Sequence, residues 1–284
     1  MKTQSKSIVF IAVILFGSSI YMAGHFLSLP SPAEIGDIPV SLKGDNVKFF
    51  SKTGRPLSGW LIPGNHDFGG ILLMHGVRSN RKQMIDRAVF LKETGYTILL
   101  FDFQAHGESP GDNVTFGYLE SKDAEAAFTY LKNQLTKKTI GVIGVSLGGA
   151  AAILGDVSVR ADALVLESVY STLRKAVQNR MSIHLGKFGL YLSPLISWQI
   201  EPRLGFNPNQ LSPIESLSKI NIPILIIAGT EDEHTTFDES RYMYNAALGP
   251  KEFWAVKGAG HQDFLKYSPD LYKKTISEYF ERHL

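Results

Sequence analysis

The chain of 284 residues is 44% hydrophobic and 20% charged, enough to bury one large α/β core or two smaller ones. Its 29 basic and 27 acidic residues are mixed along the sequence and leave a net charge of +2, so no concentrated basic face for nucleic acid is expected. There is no cysteine, which excludes disulfides, thiolate metal sites and a lipidated cysteine.

The first thirty residues differ from the rest. MKTQSK is short and basic, and from Ile8 to Leu29 there is no Asp, Glu, Lys or Arg. A helix rising about 1.5 Å per residue needs roughly 20 apolar residues to cross a bilayer, so this run is just long enough. Lys2 and Lys6 precede it and no Lys or Arg follows until Lys43. That asymmetry keeps the amino end cytoplasmic and sends the rest to the periplasmic or extracellular side of a membrane spanned once. Segment 1–29 reads as an uncleaved signal anchor. A cleaved signal peptide and a buried apolar helix are the competing readings, and no clean A-x-A cleavage site is present. Pro30, Pro32, Gly36 and Pro39 mark 30–39 as a linker to a globular domain over 40–284. On this reading, removing residues 1–29 leaves a soluble, active domain.

DNVKFFS and LSGWLIP read as short antiparallel strands with Thr53, Gly54 and Arg55 between them. GGILLMHG is a buried strand. RKQMIDRAVFLKETG carries apolar residues at helical spacing and stops at Gly95. YTILLFD is a strand, Phe116 to Gln134 a helix, TIGVIGV a strand, LGGAAAIL a helix and DALVLES a strand. After a long insertion come the strand IPILIIAG, a helix over Asp238 to Leu248, the strand KEFWAVK and a final helix from Pro269 to His283. Strands alternating with helices imply an α/β fold with a mostly parallel sheet flanked by helices. The insertion, residues 168–221, holds aromatic and apolar residues without an obvious strand. It reads as a helical cap placed before the acid-bearing strand.

Sites on parallel sheets gather at the carboxyl ends of the strands. There the chain places, in order, His75-Gly76-Val77, Asp102, Gly144-Val145-Ser146-Leu147-Gly148, Glu167, Thr230-Glu231-Asp232 and Gly258-Ala259-Gly260-His261. G-x-S-x-G puts Ser146 on a tight strand-to-helix corner, with the amide of Leu147 at a helix start where it can bind an oxyanion. The amide of Val77 is the second candidate donor. His261 is the candidate base for the serine hydroxyl, and Asp232 the candidate acid that orients the imidazole. Glu167, Glu231 and Glu233 remain alternative acids. His75, Asp102, His106 and Ser109 read as loop-shaping residues. This chemistry calls for no metal and no organic cofactor.

These segments together resemble the α/β-hydrolase superfamily over nearly the whole stretch from Val40 to Leu284. HGVRSN is similar to the oxyanion loop, FDFQAHGESPG to the segment after the next strand, GVSLGG to the nucleophile elbow, GTEDEHT to the acid loop and GAGHQDF to the histidine loop. Within the superfamily the chain resembles bacterial lysophospholipase-like and carboxylesterase-like hydrolases with an amino-terminal membrane segment. The resemblance implies a serine hydrolase that cleaves carboxylic esters through an acyl-enzyme. Its partners would be a small-molecule ester, lipid-like if the apolar insertion binds acyl chains, and the membrane. A peptidase or thioesterase using the same triad and a non-enzymatic binding protein on the same fold are the alternatives.

Overall fold

The computed structural model describes residues 2–65, 68–135 and 138–284; Met1, the first residue of the expected anchor, lies outside them. Helix α1 (Lys2–Ser28) leads. It is followed by β1 (Asp45–Phe50), β2 (Pro56–Ile62), β3 (Gly70–Met74), α2 (Ile85–Glu93), β4 (Thr97–Phe101), α3 (Glu120–Gln134), β5 (Ile140–Val145), α4 (Leu147–Leu154), α5 (Val157–Arg160) and β6 (Ala163–Glu167). Then come α6 (Leu173–Leu185), α7 (Lys187–Trp198), α8 (Ile200–Leu204), α9 (Pro213–Leu217), β7 (Ile224–Gly229), α10 (Phe237–Ala246), β8 (Lys251–Val256), α11 (Phe264–Tyr267) and α12 (Pro269–His283).

The eight strands form one sheet in the order β8-β7-β6-β5-β3-β4-β2-β1. Within this sheet, among the described residues, β2 pairs antiparallel with β1 and with β4; the other strands pair in parallel. The wholly apolar strands are explained by alternation. Leu72, Met74, Leu99, Phe101, Val142 and Leu164 face the core that α3 and α4 cover. Ile71, Leu73, Ile98, Leu100, Ile143 and Val165 face the core that α2 and α12 cover. Both faces are buried, so neither has a polar side.

The third helix starts later than its apolar spacing predicts. The Glu120 carboxylate accepts hydrogen bonds from the amides of Thr115 (2.8 Å) and Gly117 (2.8 Å). Phe116 and Gly117 sit at φ 58° and 124°, outside any right-handed helix.

Segment 30–39 is not a free linker. Ser31 and Pro32 pair in parallel with His106 and Gly107. The Glu108 carboxylate accepts from the amides of Ile35 (3.1 Å) and Gly36 (3.2 Å), and Ile35 is buried. Prolines that the sequence offers as spacers here deny the strip further sheet partners while allowing this short docking.

A buried ion cluster ties the layers together. Arg87 of α2 donates to the Glu167 carboxylate at 2.7 and 3.2 Å and to Asp263 at 3.2 Å. Tyr272 of α12 donates its hydroxyl to Glu167. Removing one partner leaves an uncompensated buried charge, whereas removing both need not. Arg87→Met is therefore expected to cost about 3–5 kcal/mol in denaturant unfolding, and Arg87→Met with Glu167→Leu to recover a large part of it.

Candidate active site

The corner between β5 and α4 is built around Ser146. Its backbone lies at φ 49° and ψ −108°. An L residue held there costs on the order of 1–3 kcal/mol and persists only where its surroundings enforce it. Here they do. The Ser146 amide donates to the Glu167 carbonyl at 2.8 Å, and its carbonyl accepts from Ala150 at 3.0 Å. A Cβ on Gly144 would strike the backbone of Gly149, and one on Gly148 would strike the carbonyl of Met74. The glycines flanking the serine are thus needed for close approach of backbone to backbone.

His261 follows β8 and stands beside Asp232, which follows β7. The imidazole Nδ1 lies 2.8 Å from Asp232 Oδ2. The same buried carboxylate accepts from the His234 amide (2.8 Å), the Thr235 amide (2.9 Å) and the Thr235 hydroxyl (2.9 Å). Burial alone would raise the Asp232 pKa, but the hydrogen bond and charge of His261, with the Thr235 bonds, hold it below the ordinary carboxylate range. Asp232 is therefore a fixed negative charge. Glu167 is engaged with Arg87 instead, and Glu231 and Glu233 are exposed.

Ser146 and His261 line one cavity of about 680 Å³, and Val77 and Leu147 line it too. Among the described residues neither the Val77 nor the Leu147 amide donates to a backbone carbonyl. The Ser146 hydroxyl and His261 share the cavity without a direct hydrogen bond; bonds of this kind commonly tighten only around bound substrate.

The loop-shaping residues have defined tasks. His75 is buried, with Nδ1 2.8 Å from the Gly76 carbonyl and Nε2 3.2 Å from the Phe103 amide. The first contact requires a proton on Nδ1 and the second a lone pair on Nε2, so the ring is neutral and pins the loop carrying Val77. Asp102 accepts from the amides of Arg81 (2.7 Å) and Glu108 (2.9 Å) and pairs with the Arg81 guanidinium. The Ser109 hydroxyl donates to the Asp102 carbonyl at 2.7 Å. The His106 ring is buried, with Nδ1 3.0 Å from the Gln104 carbonyl.

Two sets of lining residues were not anticipated from sequence. The first comes from α1 and the residue after it: Ala23, Gly24 and Leu27, followed by Leu29, form part of the cavity wall. Gln199 donates to the Ile20 carbonyl (3.0 Å), Arg203 to the Tyr21 carbonyl (2.9 Å) and Arg78 to the Phe26 carbonyl. A Cβ on Gly24 would lie 2.7 Å from the Gln199 side-chain oxygen, so helix and domain come close at this point. Nothing in an apolar run signals this docking. The second is Arg180 of α6, whose signal was present: Leu173, Val177, Arg180 and His184 recur at helical spacing, and all four line the cavity.

No protein-family profile matches the chain. Curated relatives include YqkD of Bacillus subtilis, 23% identical over 235 residues (81% of this chain and 77% of the relative). Rv2307c of Mycobacterium tuberculosis is 29% identical over 240 residues (82% and 77%). Neither name assigns an activity. Among solved structures, the Pyrococcus furiosus esterase Pf2001 superposes with a TM-score of 0.74 and 26% identity, covering 90% of this chain and 98% of that one. The α/β hydrolase GrgF from a Penicillium species superposes at 0.64 and 20% identity, covering 85% and 99%, a likeness of fold alone. This chain has the α/β-hydrolase fold. The superfamily explains why serine, acid and histidine reach one end of the sheet from three separate strands.

The neutral His75 has a consequence for stability. Burial, then the charge of His106, pushes its pKa from 6.5 down to about 3. Below pH 6.5 the unfolded chain binds a proton that the folded chain refuses. Stability is expected to fall as pH drops from 6.5 toward 3, by up to about 1.4 kcal/mol per pH unit from this residue. Urea unfolding at several pH values checks this, and His75→Phe should flatten the slope.

Proposed function

We propose that this α/β-hydrolase is a membrane-anchored serine hydrolase that cleaves carboxylic esters bearing an apolar acyl chain. The observation that carries the reading is the 2.8 Å bond between His261 and Asp232, opening on the same cavity as a serine held at positive φ. In this reading His261 takes the proton of Ser146 as its oxygen attacks the ester carbonyl. The amides of Val77 and Leu147 hold the resulting oxyanion. The intermediate collapses, the C–O bond to the alcohol breaks, and His261 returns the proton to the departing oxygen. Water then repeats the sequence on the acyl-enzyme, releasing the acid and restoring Ser146. Asp232 keeps the proton of neutral His261 on Nδ1 and stabilises the imidazolium.

Two observations support the acyl chain. The cavity is walled by Leu173, Val177, Met181 and Ile200 from the insertion, which we read as a cap spanning 168–221, and by Ala23 and Leu27 of α1. The surface of α7 exposes Phe188, Tyr191 and Trp198, the last at 74%, beside α1. Aromatic residues of this kind favour the boundary between lipid and water. In α1, Phe10–Ser28 is a 19-residue stretch of mean hydropathy 1.8, long and apolar enough to cross a membrane. With Lys2 and Lys6 ahead of it, we place residues 1–29 as the anchor and the hydrolase domain, residues 40–284, on the exported side.

A phosphonate probe and a short aryl ester test the chemistry. Labelling and turnover are expected in the parent protein and absent in Ser146→Ala, with the fold retained. Asp232→Asn should lower turnover on the order of 10⁴-fold, because the imidazole then takes the wrong tautomer. Turnover that survives Ser146→Ala overturns the nucleophile; a folded parent that neither labels nor turns over supports a binding protein.

The wall contributed by α1 changes the expectation that residues 1–29 are dispensable. Leu27→Trp in the full chain is expected to lower the ratio of long-chain to short-chain ester hydrolysis by about tenfold or more, since pocket volume discriminates acyl length on this scale. Rates measured across a series of aryl esters of increasing acyl length check it.

A further inference from the structure

Arg180 stands out among the cavity residues. It comes from α6, between Val177 and His184 on the stripe that lines the apolar cavity. It also lines a second, more polar pocket of about 350 Å³, together with Gly76, Glu167, Gln262 and Asp263. The two pockets meet at four residues: Val77, Ser146, Arg180 and His261. An ester whose carbonyl sits at Ser146 would therefore lie across this junction. Its acyl chain suits the apolar side, and its alcohol part suits the polar side.

The guanidinium at this junction is partly buried, and no described residue forms a hydrogen bond or a contact ion pair with it. Every nearby carboxylate is already committed. Asp232 accepts from His261, Thr235 and the His234 amide. Glu167 and Asp263, which also line the polar pocket, are both held by Arg87. The remaining titratable neighbours, His184, His234 and His261, offer no negative charge. A partly buried arginine whose fork no described side chain or carbonyl occupies leaves that fork open to an incoming anion. A planar fork of donors is suited to a carboxylate or phosphate, which it can bind through two parallel hydrogen bonds.

Resting on the ester-hydrolase reading above, we propose that Arg180 forms an anion subsite beside Ser146. The preferred substrates are then single-chain esters whose alcohol part carries a phosphate or a carboxylate. The cation selects the substrate and takes no part in proton transfer. Phosphate and carboxylate share this chemistry, and the test separates them.

Full-length protein in phosphatidylcholine vesicles would be given four esters: nitrophenyl butanoate, neutral monododecanoylglycerol, its phosphate monoester, and dodecanoyl lactate. The readout is the ratio of kcat/KM for each anionic ester to that for the neutral glycerol ester. The parent is expected to prefer at least one anionic ester, and Arg180→Gln to lower that ratio about tenfold or more, mainly through KM. Arg180→Lys, which keeps the charge and loses the fork, should fall between the two. The anionic ester whose ratio drops identifies the group that is read. A ratio that Arg180→Gln leaves unchanged, including an equal loss on all esters, overturns the subsite. Absence of any anionic preference in a parent that turns over nitrophenyl butanoate also overturns it, with the hydrolase reading intact. A folded parent that cleaves none of the four overturns the hydrolase reading itself, and the subsite with it.

Discussion

Ser146 keeps a φ of 49° because backbone closes around it on three sides. The Glu167 carbonyl of β6 fixes its amide, the first turn of α4 fixes its carbonyl, and Met74 at the end of β3 leaves no room for a side chain at Gly148. The strain is local, but its support is spread over three neighbouring strands of the central sheet. The corner therefore exists only once β3, β5 and β6 are in register. That dependence makes the site a property of the assembled sheet and not of the motif by itself.

Two buried arginines extend this control outward. Arg87 holds Glu167, whose carbonyl receives the Ser146 amide, and also Asp263, two residues beyond His261. One guanidinium thus steadies both the serine corner and the histidine loop. Arg81 does the same for the turn after β4, through Asp102 and Glu108, and it packs 4.8 Å from the ring of Trp60. Glu108 in turn grips the amides of Ile35 and Gly36. Charge is used here to fix loops whose ends carry the chemistry, through ion pairs that also make hydrogen bonds.

Most of the sheet was legible because its strands are short, apolar and bounded by glycine, and because the helices between them repeat at their own period. The candidate serine, histidine and acid could be picked out because each sits just past a strand in a short, distinctive segment, and the structure brings all three to one end of the sheet. Asp232 was the first choice from sequence as the partner of His261, but spacing alone left Glu167, Glu231 and Glu233 as alternatives. It took the position of Arg87, some eighty residues earlier in the chain, to show that Glu167 is spoken for. The late start of α3 was hidden because Phe116 looks like a helix former and only its positive φ excludes it. The docking of 30–39 and of α1 was hidden for a different reason. Prolines and apolar residues say what a segment avoids, and its partner is written elsewhere, in Glu108, Gln199 and Arg203.

The contacts between α1 and the domain bear on how substrate is met. Gln199, Arg203 and Arg78 grip carbonyls near the end of the helix, and the Val114 amide donates to the Ser28 carbonyl at 2.9 Å. With residues 31–36 also docked, no slack is left between helix and hydrolase fold. In the anchored state we propose, the domain cannot tumble above the membrane like a body on a leash. The mouth of the cavity keeps one bearing and one height relative to the bilayer. Search for a membrane-borne ester then becomes lateral diffusion in a plane, with the angular part of the encounter settled before the substrate arrives.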